Sequence, residues 1–129
     1  ITRLLTIAIE QRDVIRTKRY HRMIEQAKEY INEHYADENI SLNEVAAYVN
    51  ISPSHFSTIF SREMGKSFIR YLTDLRMNKA KELLKCSDLR CSEISMAVGY
   101  KDPHYFSYLF KKEQNCTPKQ YRNMKKDAV

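Results

Sequence analysis

The sequence predicts an all-α domain of two helix-turn-helix subdomains, joined by a long linker helix and preceded by an N-terminal helical extension. Apolar residues recur at helical spacing, and no segment sustains the period-two alternation of a strand. The chain also repeats itself, since residues 52–63 read SPSHFSTIFSRE and residues 102–113 read DPHYFSYLFKKE. Finally, both glycines of the chain align with asparagines of the other copy.

The repeat has an offset of 50 residues after the proline of each copy and of 49 residues before it, so one extra residue lies in the second turn. The longer offset pairs Gly65 with Asn115, and the shorter one pairs Asn50 with Gly99. Gly and Asn adopt positive φ more readily than other residues. We therefore expect left-handed backbone in both inter-helix turns and at the end of each copy's second helix.

The N-terminal part divides into a connector and a first subdomain. Residues 1–20 show a weak helical pattern that runs into a basic stretch of Arg16, Lys18, Arg19 and Arg22, and we expect a connector from an upstream domain. An overhang without a role is the alternative. The first subdomain is expected over residues 21–66, beginning with a helix at 21–35. Its apolar positions are spaced i, i+3, i+7 and i+11: Ile24, Ala27, Ile31 and Tyr35.

The first helix-turn-helix is predicted from its caps. Ser41 and Glu44 fit the N-cap and N3 positions of a capping box that begins a short helix. After the turn at Asn50, Ser52 fits an N-cap and Pro53 fits the first helical position. The helix that follows is expected to bury its apolar side: Phe56, Ile59, Phe60 and Met64.

The linker helix is predicted over residues 67–85, about 28 Å at 1.5 Å per residue, and the second subdomain over residues 86–129. Ser92 is the predicted cap of the first helix of this copy, which should bury Ile94, Ala97 and Val98. The next helix should begin at Asp102 and Pro103, in the way that Ser52 and Pro53 begin the first. The last helix should begin at Thr117 and Pro118.

The charge is distributed unevenly along the chain. Residues 1–40 have no net charge, so the whole excess of +6 falls on residues 41–129, where a polyanionic partner is indicated. On charge alone, ordinary solvated lysines explain the pattern equally well. The three cysteines have neither disulfide nor zinc-ligand spacing, which predicts reduced thiols in a cytoplasmic protein without metal or cofactor. No segment has the length of a membrane span, about 18 apolar residues, and there is no signal-peptide pattern.

The side of each second helix opposite its aromatic residues is the predicted DNA-contacting face. In a helix-turn-helix the second helix lies in the major groove, with its N-terminal part at the base edges. Short hydroxyl side chains dominate this face in the first copy and permit a close approach. The predicted base contacts are Ser54, His55, Ser57, Thr58, His104, Tyr105, Ser107 and Tyr108. The predicted phosphate contacts are Ser41, Arg62, Lys101, Lys111 and Lys112.

Residues 41–122 resemble the DNA-binding domain of the AraC/XylS family of bacterial transcription regulators. The matching motifs are SPSHFS at 52–57, Arg76-x3-Ala80-x2-Leu83-Leu84, VGYxD at 98–102, YFS at 105–107, FKK at 110–112 and TPxxYR at 117–122. The resemblance implies two helix-turn-helix units that read successive major grooves on one face of the duplex. After each Phe-Ser pair the family often has Arg, a guanine reader, whereas this chain has Thr58 and Tyr108. Hydroxyl contacts, thymine-methyl packing and shape readout become the expected modes.

The leading hypothesis is therefore a fragment of a sequence-specific regulator that binds double-stranded DNA. RNA polymerase is a candidate second partner, and no membrane contact is expected. We expect the fragment to be monomeric and the full-length protein to dimerise through its missing domain. An enzyme, as in fusions of this domain to a DNA-repair methyltransferase, is disfavoured because Cys86, Cys91 and Cys116 lack the required setting. A helical protein–protein adaptor is the alternative, and it should spread its charges over the whole chain.

Overall fold

The computed structural model describes the backbone of residues 2–127 and the side chains of residues 18–124. Within residues 2–127 the chain forms seven α-helices, and no strand occurs in that range. The helices are α1 (Thr2–His34), α2 (Leu42–Tyr48), α3 (Pro53–Met64), α4 (Phe68–Cys86), α5 (Cys91–Ala97), α6 (Pro103–Gln114) and α7 (Pro118–Asp127). The all-α prediction is confirmed, and α4 is the predicted linker helix.

The N-terminal helix α1 is continuous through residue 20, where the sequence suggests the end of a connector. No helix end marks that boundary, and the side chains of residues 2–17 lie outside the described part. The division into a connector and a first subdomain therefore stays a prediction. Beyond α1 the chain turns, and the Asp37 carboxylate accepts the backbone N–H of Asn39 at 2.9 Å.

The described chain forms two compact units. The first unit combines the chain up to Ile31 with Ser41–Phe68, so it holds most of α1, together with α2 and α3. Three fully or almost fully buried phenylalanines form an aromatic cluster, with ring centroids 5.5 to 6.5 Å apart: Phe56, Phe60 and Phe68. Burial of each such side chain is worth roughly 1.5–3 kcal/mol. The aromatic side of α3 is thus committed to the core of this unit.

The second unit combines Asn32–Ile40 with the chain from Ile69 onward. Its core draws on α4, α5 and α6: Met77, Ala80, Leu84, Ile94, Val98, Tyr100, Phe106 and Phe110. Tyr121 of α7 closes this core with its ring 5.7 Å from that of Phe110. The two repeat copies therefore bury aligned phenylalanines, Phe56 and Phe60 on α3 and Phe106 and Phe110 on α6. The next ring in each cluster comes from positions that do not align in the repeat, Phe68 in the first unit and Tyr121 in the second.

The end of each second helix has the predicted left-handed backbone. Gly65 ends α3 with φ 73°, and its N–H donates to the Ser61 carbonyl at 3.0 Å. Asn115 ends α6 with φ 63°, and its N–H donates to the Lys111 carbonyl at 2.8 Å. This pairing of Gly with Asn is confirmed, because both residue types reach positive φ at low cost.

The predicted cap of α5 is wrong. Ser92 lies inside the helix, which begins at Cys91 with Arg90 in the N-cap position, and the Glu93 carboxylate accepts the Arg90 backbone N–H at 3.3 Å. The offset of 49 residues pairs Ser41 with Arg90, so the repeat itself carried the signal that the capping rule missed. Burial on α5 also differs from the prediction, because Ala97 is exposed and Ser95 is fully buried.

The α2 and α3 predictions are confirmed at their caps. The Ser41 hydroxyl accepts the backbone N–H of Glu44 at 3.1 Å, which confirms Ser41 as the N-cap. The reciprocal half of the predicted capping box is absent, because the Glu44 carboxylate accepts from the Tyr30 hydroxyl at 2.8 Å. In α7, Thr117 forms a reciprocal pair with Gln120, in which each side chain accepts the other residue's backbone N–H, at 3.1 and 2.9 Å. Leu42 and Met64 are half-buried, where the sequence predicts burial.

Candidate nucleic-acid interface

The turns between α2 and α3 and between α5 and α6 have the same backbone pattern. Ile51 N–H donates to the Ala46 carbonyl at 3.1 Å, and the aligned Tyr100 N–H donates to the Ser95 carbonyl at 2.9 Å. The turn residues Asn50 and Gly99 both have positive φ, 62° and 104°. The extra residue of the second copy follows this turn, at Lys101. The two turns therefore form the same hydrogen bonds, and the second copy then uses one more residue before its second helix begins.

The caps of α3 and α6 leave their first turns open to solvent. The Ser52 hydroxyl accepts the N–H of His55 at 3.2 Å, and Pro53 occupies the first turn. In α6 the Asp102 carboxylate accepts the N–H of His104 at 2.9 Å, again with a proline in the first turn. The capping side chain thus reaches one residue further into α3 than into α6, but both helices have a proline directly after the N-cap, and the predicted base-contacting positions align through the repeat.

The predicted base-contacting residues lie on the solvent side of their helices. On α3, Ser54, His55 and Thr58 are exposed and Ser57 is half-buried. On α6, His104, Tyr105 and Tyr108 are exposed and Ser107 is half-buried, with Tyr108 63% exposed. The structure brings together four of them on α3, in the first unit, and four on α6, in the second unit.

The hydroxyl of Thr58 is already engaged within its helix. Its Oγ1 donates to the Ser54 carbonyl at 3.1 Å. With that bond kept, the Thr58 oxygen can accept a hydrogen bond from a base amino group, and its methyl group can pack on a thymine methyl. Thr58 therefore favours amino-group and thymine contacts over contacts to base acceptors.

The five predicted phosphate-contacting residues are all exposed: Ser41, Arg62, Lys101, Lys111 and Lys112. Ser41 and Arg62 belong to the first unit and the three lysines to the second. The Arg62 guanidinium is 3.8 Å from the Glu63 carboxylate, a weak contact between an exposed and a partly exposed side chain. Arg62 can exchange this contact for a phosphate at little cost.

Tyr20 of α1 is a contact that sequence reasoning missed. Its ring meets the His55 ring edge-on at 5.8 Å, and the Arg62 guanidinium carbon lies 5.8 Å from its centroid. Both partners are on the α3 face that the sequence assigns to DNA. The signal was present, because Tyr20, Ile24, Ala27 and Ile31 continue one helical stripe. Tyr20 thus holds two predicted DNA-contacting side chains against α1.

Arg70 of α4 holds the C-terminal part of α6. Its guanidinium forms two hydrogen bonds with the Glu113 carboxylate, at 3.0 and 2.7 Å, and two with Asp74, at 3.0 and 2.7 Å. These bonds, first to Glu113 and then to Asp74, raise the pKa of Arg70 above its ordinary value. The pairing fixes the helix turn that also carries Lys111 and Lys112.

Arg76 is the other residue whose role the sequence motif does not reveal. It is 7% exposed, and its guanidinium donates from Nε to the Tyr35 carbonyl at 2.8 Å and from Nη2 to the Asp37 carbonyl at 2.9 Å. The same group lies 4.8 Å from the ring centroid of Tyr100. Burial raises the pKa of the Tyr100 phenol, and the neighbouring Arg76 charge opposes that rise. Arg76 thereby fastens residues 35–37 to the core of the second unit.

The described part of the chain holds no group of three His, Cys, Asp or Glu side chains arranged to bind a metal ion. All three cysteines are free thiols, with Cys86 exposed and Cys91 and Cys116 half-buried against the core of the second unit. None of the described helices combines the length and apolar character needed to cross a bilayer.

The repeated turn, the matched helix starts and the solvent-facing polar sides of α3 and α6 define a tandem helix-turn-helix domain. The sequence profile described as "Helix-turn-helix domain" matches residues 45–124. The chain belongs to the AraC/XylS family of transcription regulators, of which this is the shared DNA-binding domain.

Known proteins support the assignment at moderate identity. The chain is 34% identical over 99 residues to the arabinose operon regulatory protein of Escherichia coli, covering 77% of this chain and 34% of that protein. It is 39% identical over 100 residues to the lactose operon transcription activator of Staphylococcus xylosus, covering 78% and 36%. The C-terminal domain of AraT, a response regulator from Geobacillus stearothermophilus, superposes with a TM-score of 0.77 at 41% identity, over 79% of this chain and 84% of that one. The chain spans about a third of the two curated relatives.

Proposed function

We propose that this chain binds double-stranded DNA in a sequence-specific manner, with α3 and α6 entering successive major grooves on one face of the duplex. The observation that carries the proposal is the two-sidedness of both helices. Each buries its phenylalanines completely and presents the residues predicted to contact bases to solvent. In a helix-turn-helix this exposed side is the one that enters the groove.

The two helices are proposed to read different sequences. The exposed side of α3 carries small hydroxyl residues, whereas that of α6 carries a histidine and two tyrosines. Hydroxyl groups contact several base edges, and a tyrosine ring adds apolar contact with thymine methyl groups or deoxyribose. Two unlike readers favour an asymmetric binding site. With one helical turn, about 34 Å, between the grooves that they enter, that site spans about two turns of DNA.

The exposed basic residues are proposed to set affinity. Arg62, Lys101, Lys111 and Lys112 extend from the same helices or from the turn before them, where phosphates border the groove. Ser41 begins α2, and it is proposed to contact a phosphate while it caps that helix. These contacts position the domain without reading the sequence.

The chain alone is proposed to bind as a monomer in the cytoplasm. We assign three further properties to regions outside this chain: the pairing of two chains, contact with RNA polymerase and any response to an effector. The relatives at 34% and 39% identity are a regulatory protein and a transcription activator about three times as long as the matched region.

Selection of bound sequences from a random double-stranded DNA pool tests the proposal. One enriched asymmetric site of about two turns is expected, bound by a single chain in sedimentation. Affinity for that site should fall with salt, with a slope of log K against log [salt] of roughly −5 to −7 if six to eight phosphates are neutralised. No enriched sequence, or a slope shallower than about −2, would reject DNA as the main partner. A palindrome that requires two chains would reject the monomer.

A further inference from the structure

A basic cavity lies on α1, on a side of the helix that the core does not use. It is an open cavity of about 360 Å³ in the first unit. Its lining residues are Lys18, Arg19, Arg22, Met23, Gln26 and Val49. The three cationic residues are exposed, whereas Val49, at the end of α2, is buried. We call it the α1 cavity.

The helical spacing explains why α1 can form both a core face and this cavity. The inward stripe of α1 runs through Tyr20, Ile24, Ala27 and Ile31. The cavity stripe runs through Arg19, Arg22, Met23 and Gln26, at the spacing i, i+3, i+4 and i+7. At 100° per residue the two stripes are centred roughly 120° apart. The cations are therefore held beside the core without taking part in it.

The lining of the α1 cavity is electrostatically one-sided. Three cationic side chains and no carboxylate line it. Like charges gathered around one cavity repel, and an anion bound between them relieves that repulsion. Arginine in particular offers a planar fork of donors that matches phosphate oxygens. The chemistry of this lining fits a phosphate group.

The position of the α1 cavity indicates which phosphate it meets. Tyr20 is in the same helical turn as Arg19 and Arg22, and its ring contacts His55 and Arg62 of α3. The basic turn of α1 is thus attached directly to the helix proposed to lie in the major groove. The cavity is also open and bordered by exposed, solvated cations, unlike the enclosed apolar pockets that hold small ligands.

We propose that the α1 cavity binds a phosphate group of the DNA backbone, which makes α1 a DNA-contacting element beside α3 and α6. This inference rests on the proposed function and adds a site to it. The contact supplies affinity and no sequence preference, because a phosphate is the same at every base pair.

The test compares two doubly substituted full chains on the selected DNA site. Lys18→Gln/Arg22→Gln removes two charges from the cavity. Lys28→Gln/Lys79→Gln removes two charges elsewhere, since these lysines pair with Glu25 and Glu82 and do not line the cavity. Circular dichroism first checks that both variants keep the helical content of the parent.

The cavity variant is expected to lose about 1 unit of salt slope, since the cavity is proposed to bind one phosphate and each such contact contributes about 0.9. It should weaken all sequences by a similar factor and leave the selected site unchanged. The control should keep its slope within about 0.5. If both variants lose equal slope, the cavity inference is overturned. A parent chain that binds no selected DNA would instead overturn the proposed function.

A second measurement distinguishes backbone phosphate from free phosphate. Inorganic phosphate and pyrophosphate are titrated into the chain without DNA, and the Arg22 Nε and Gln26 side-chain amide resonances are followed. We expect these resonances to shift little below millimolar concentrations of either anion, and to change when DNA is added. Saturation by free pyrophosphate at micromolar concentration, with unchanged resonances on DNA, would overturn the assignment to the backbone.

Discussion

Substitution of Gly99 is expected to destabilise the domain far more than substitution of Gly65, although the repeat pairs each glycine with an asparagine. Both glycines have positive φ, 104° at Gly99 and 73° at Gly65. A Cβ at Gly65 would meet no atom within 4 Å. A Cβ at Gly99 would lie 2.7 Å from the Tyr35 carbonyl oxygen and 2.9 Å from the Arg76 guanidinium. A side chain at position 99 would therefore collide with the Tyr35 backbone carbonyl and with the Arg76 guanidinium, which is held in place.

The free-energy costs follow from these surroundings. At Gly65, alanine is destabilising only through the left-handed backbone, by about 1 kcal/mol, and asparagine is less destabilising. At Gly99, any side chain must displace Arg76, which donates to the Tyr35 and Asp37 carbonyls. Hydrogen bonds to charged groups are worth about 1.5–3 kcal/mol each, so loss of both Arg76 bonds in Gly99→Asn should cost roughly 3–6 kcal/mol. The total free energy of unfolding of a native protein is about 5–15 kcal/mol.

Urea unfolding followed by circular dichroism measures both costs. Gly65→Asn should keep the parent midpoint, Gly65→Val should lower it, and Gly99→Asn should lower it most. In thermal unfolding of a chain of this length each kcal/mol corresponds to a shift in Tm of about 3–5 °C. Asn50→Gly is the matched control, since it places glycine at the aligned turn of the first copy and should change little. Equal midpoints for Gly65→Asn and Gly99→Asn would refute the argument from the Arg76 contact.

Three further predictions concern the proposed interface. Thr58→Arg should change the preferred base at one position of the selected site, since Arg favours guanine, whereas Lys112→Ala should weaken all sequences alike; equal loss on every sequence in both variants would contradict these roles. Tyr20→Leu should keep the helical content but weaken DNA binding several-fold, because His55 and Arg62 lose their ring contact; unchanged affinity would show that this contact does not matter for binding. Arg70→Ala should cost about 1 kcal/mol or less in urea unfolding, and less still in high salt, because its ion pairs are partly exposed.

The order of helices, most caps and the solvent-facing sides of α3 and α6 could be predicted from the sequence because they depend on residues close together in the chain. A cap is decided by residues about three apart, and a helical face by residues three and four apart. Ser52 with Pro53, and Asp102 with Pro103, are therefore readable without the fold. Because the repeat contains each turn twice, the alignment of Gly with Asn predicted positive φ at four positions, and the structure confirms all four: Asn50, Gly65, Gly99 and Asn115.

The error at Ser92 shows where local reasoning reaches its limit. Serine is a preferred N-cap residue, so the residue type alone favoured Ser92. The helix α5 instead begins at Cys91, because its N-cap Arg90 aligns with the N-cap Ser41 of the first copy. Local reasoning also missed the burial of Ser95. Its hydroxyl donates to the Tyr100 carbonyl at 2.7 Å, and this bond compensates for placing a polar group at a position where the first copy has Ala46.

Contacts between residues far apart in the chain were decided only by the tertiary structure. Arg76 reaches carbonyls about 40 positions earlier, Arg70 reaches Glu113 43 positions later, and Tyr20 reaches His55 and Arg62 across helices. No periodicity within one helix specifies which distant carbonyl or ring a side chain will meet. The difference between Gly65 and Gly99 is of this kind. The sequence determines that both need positive φ, because that is a property of the local backbone. Packing alone determines that one position has space for a side chain and the other has none.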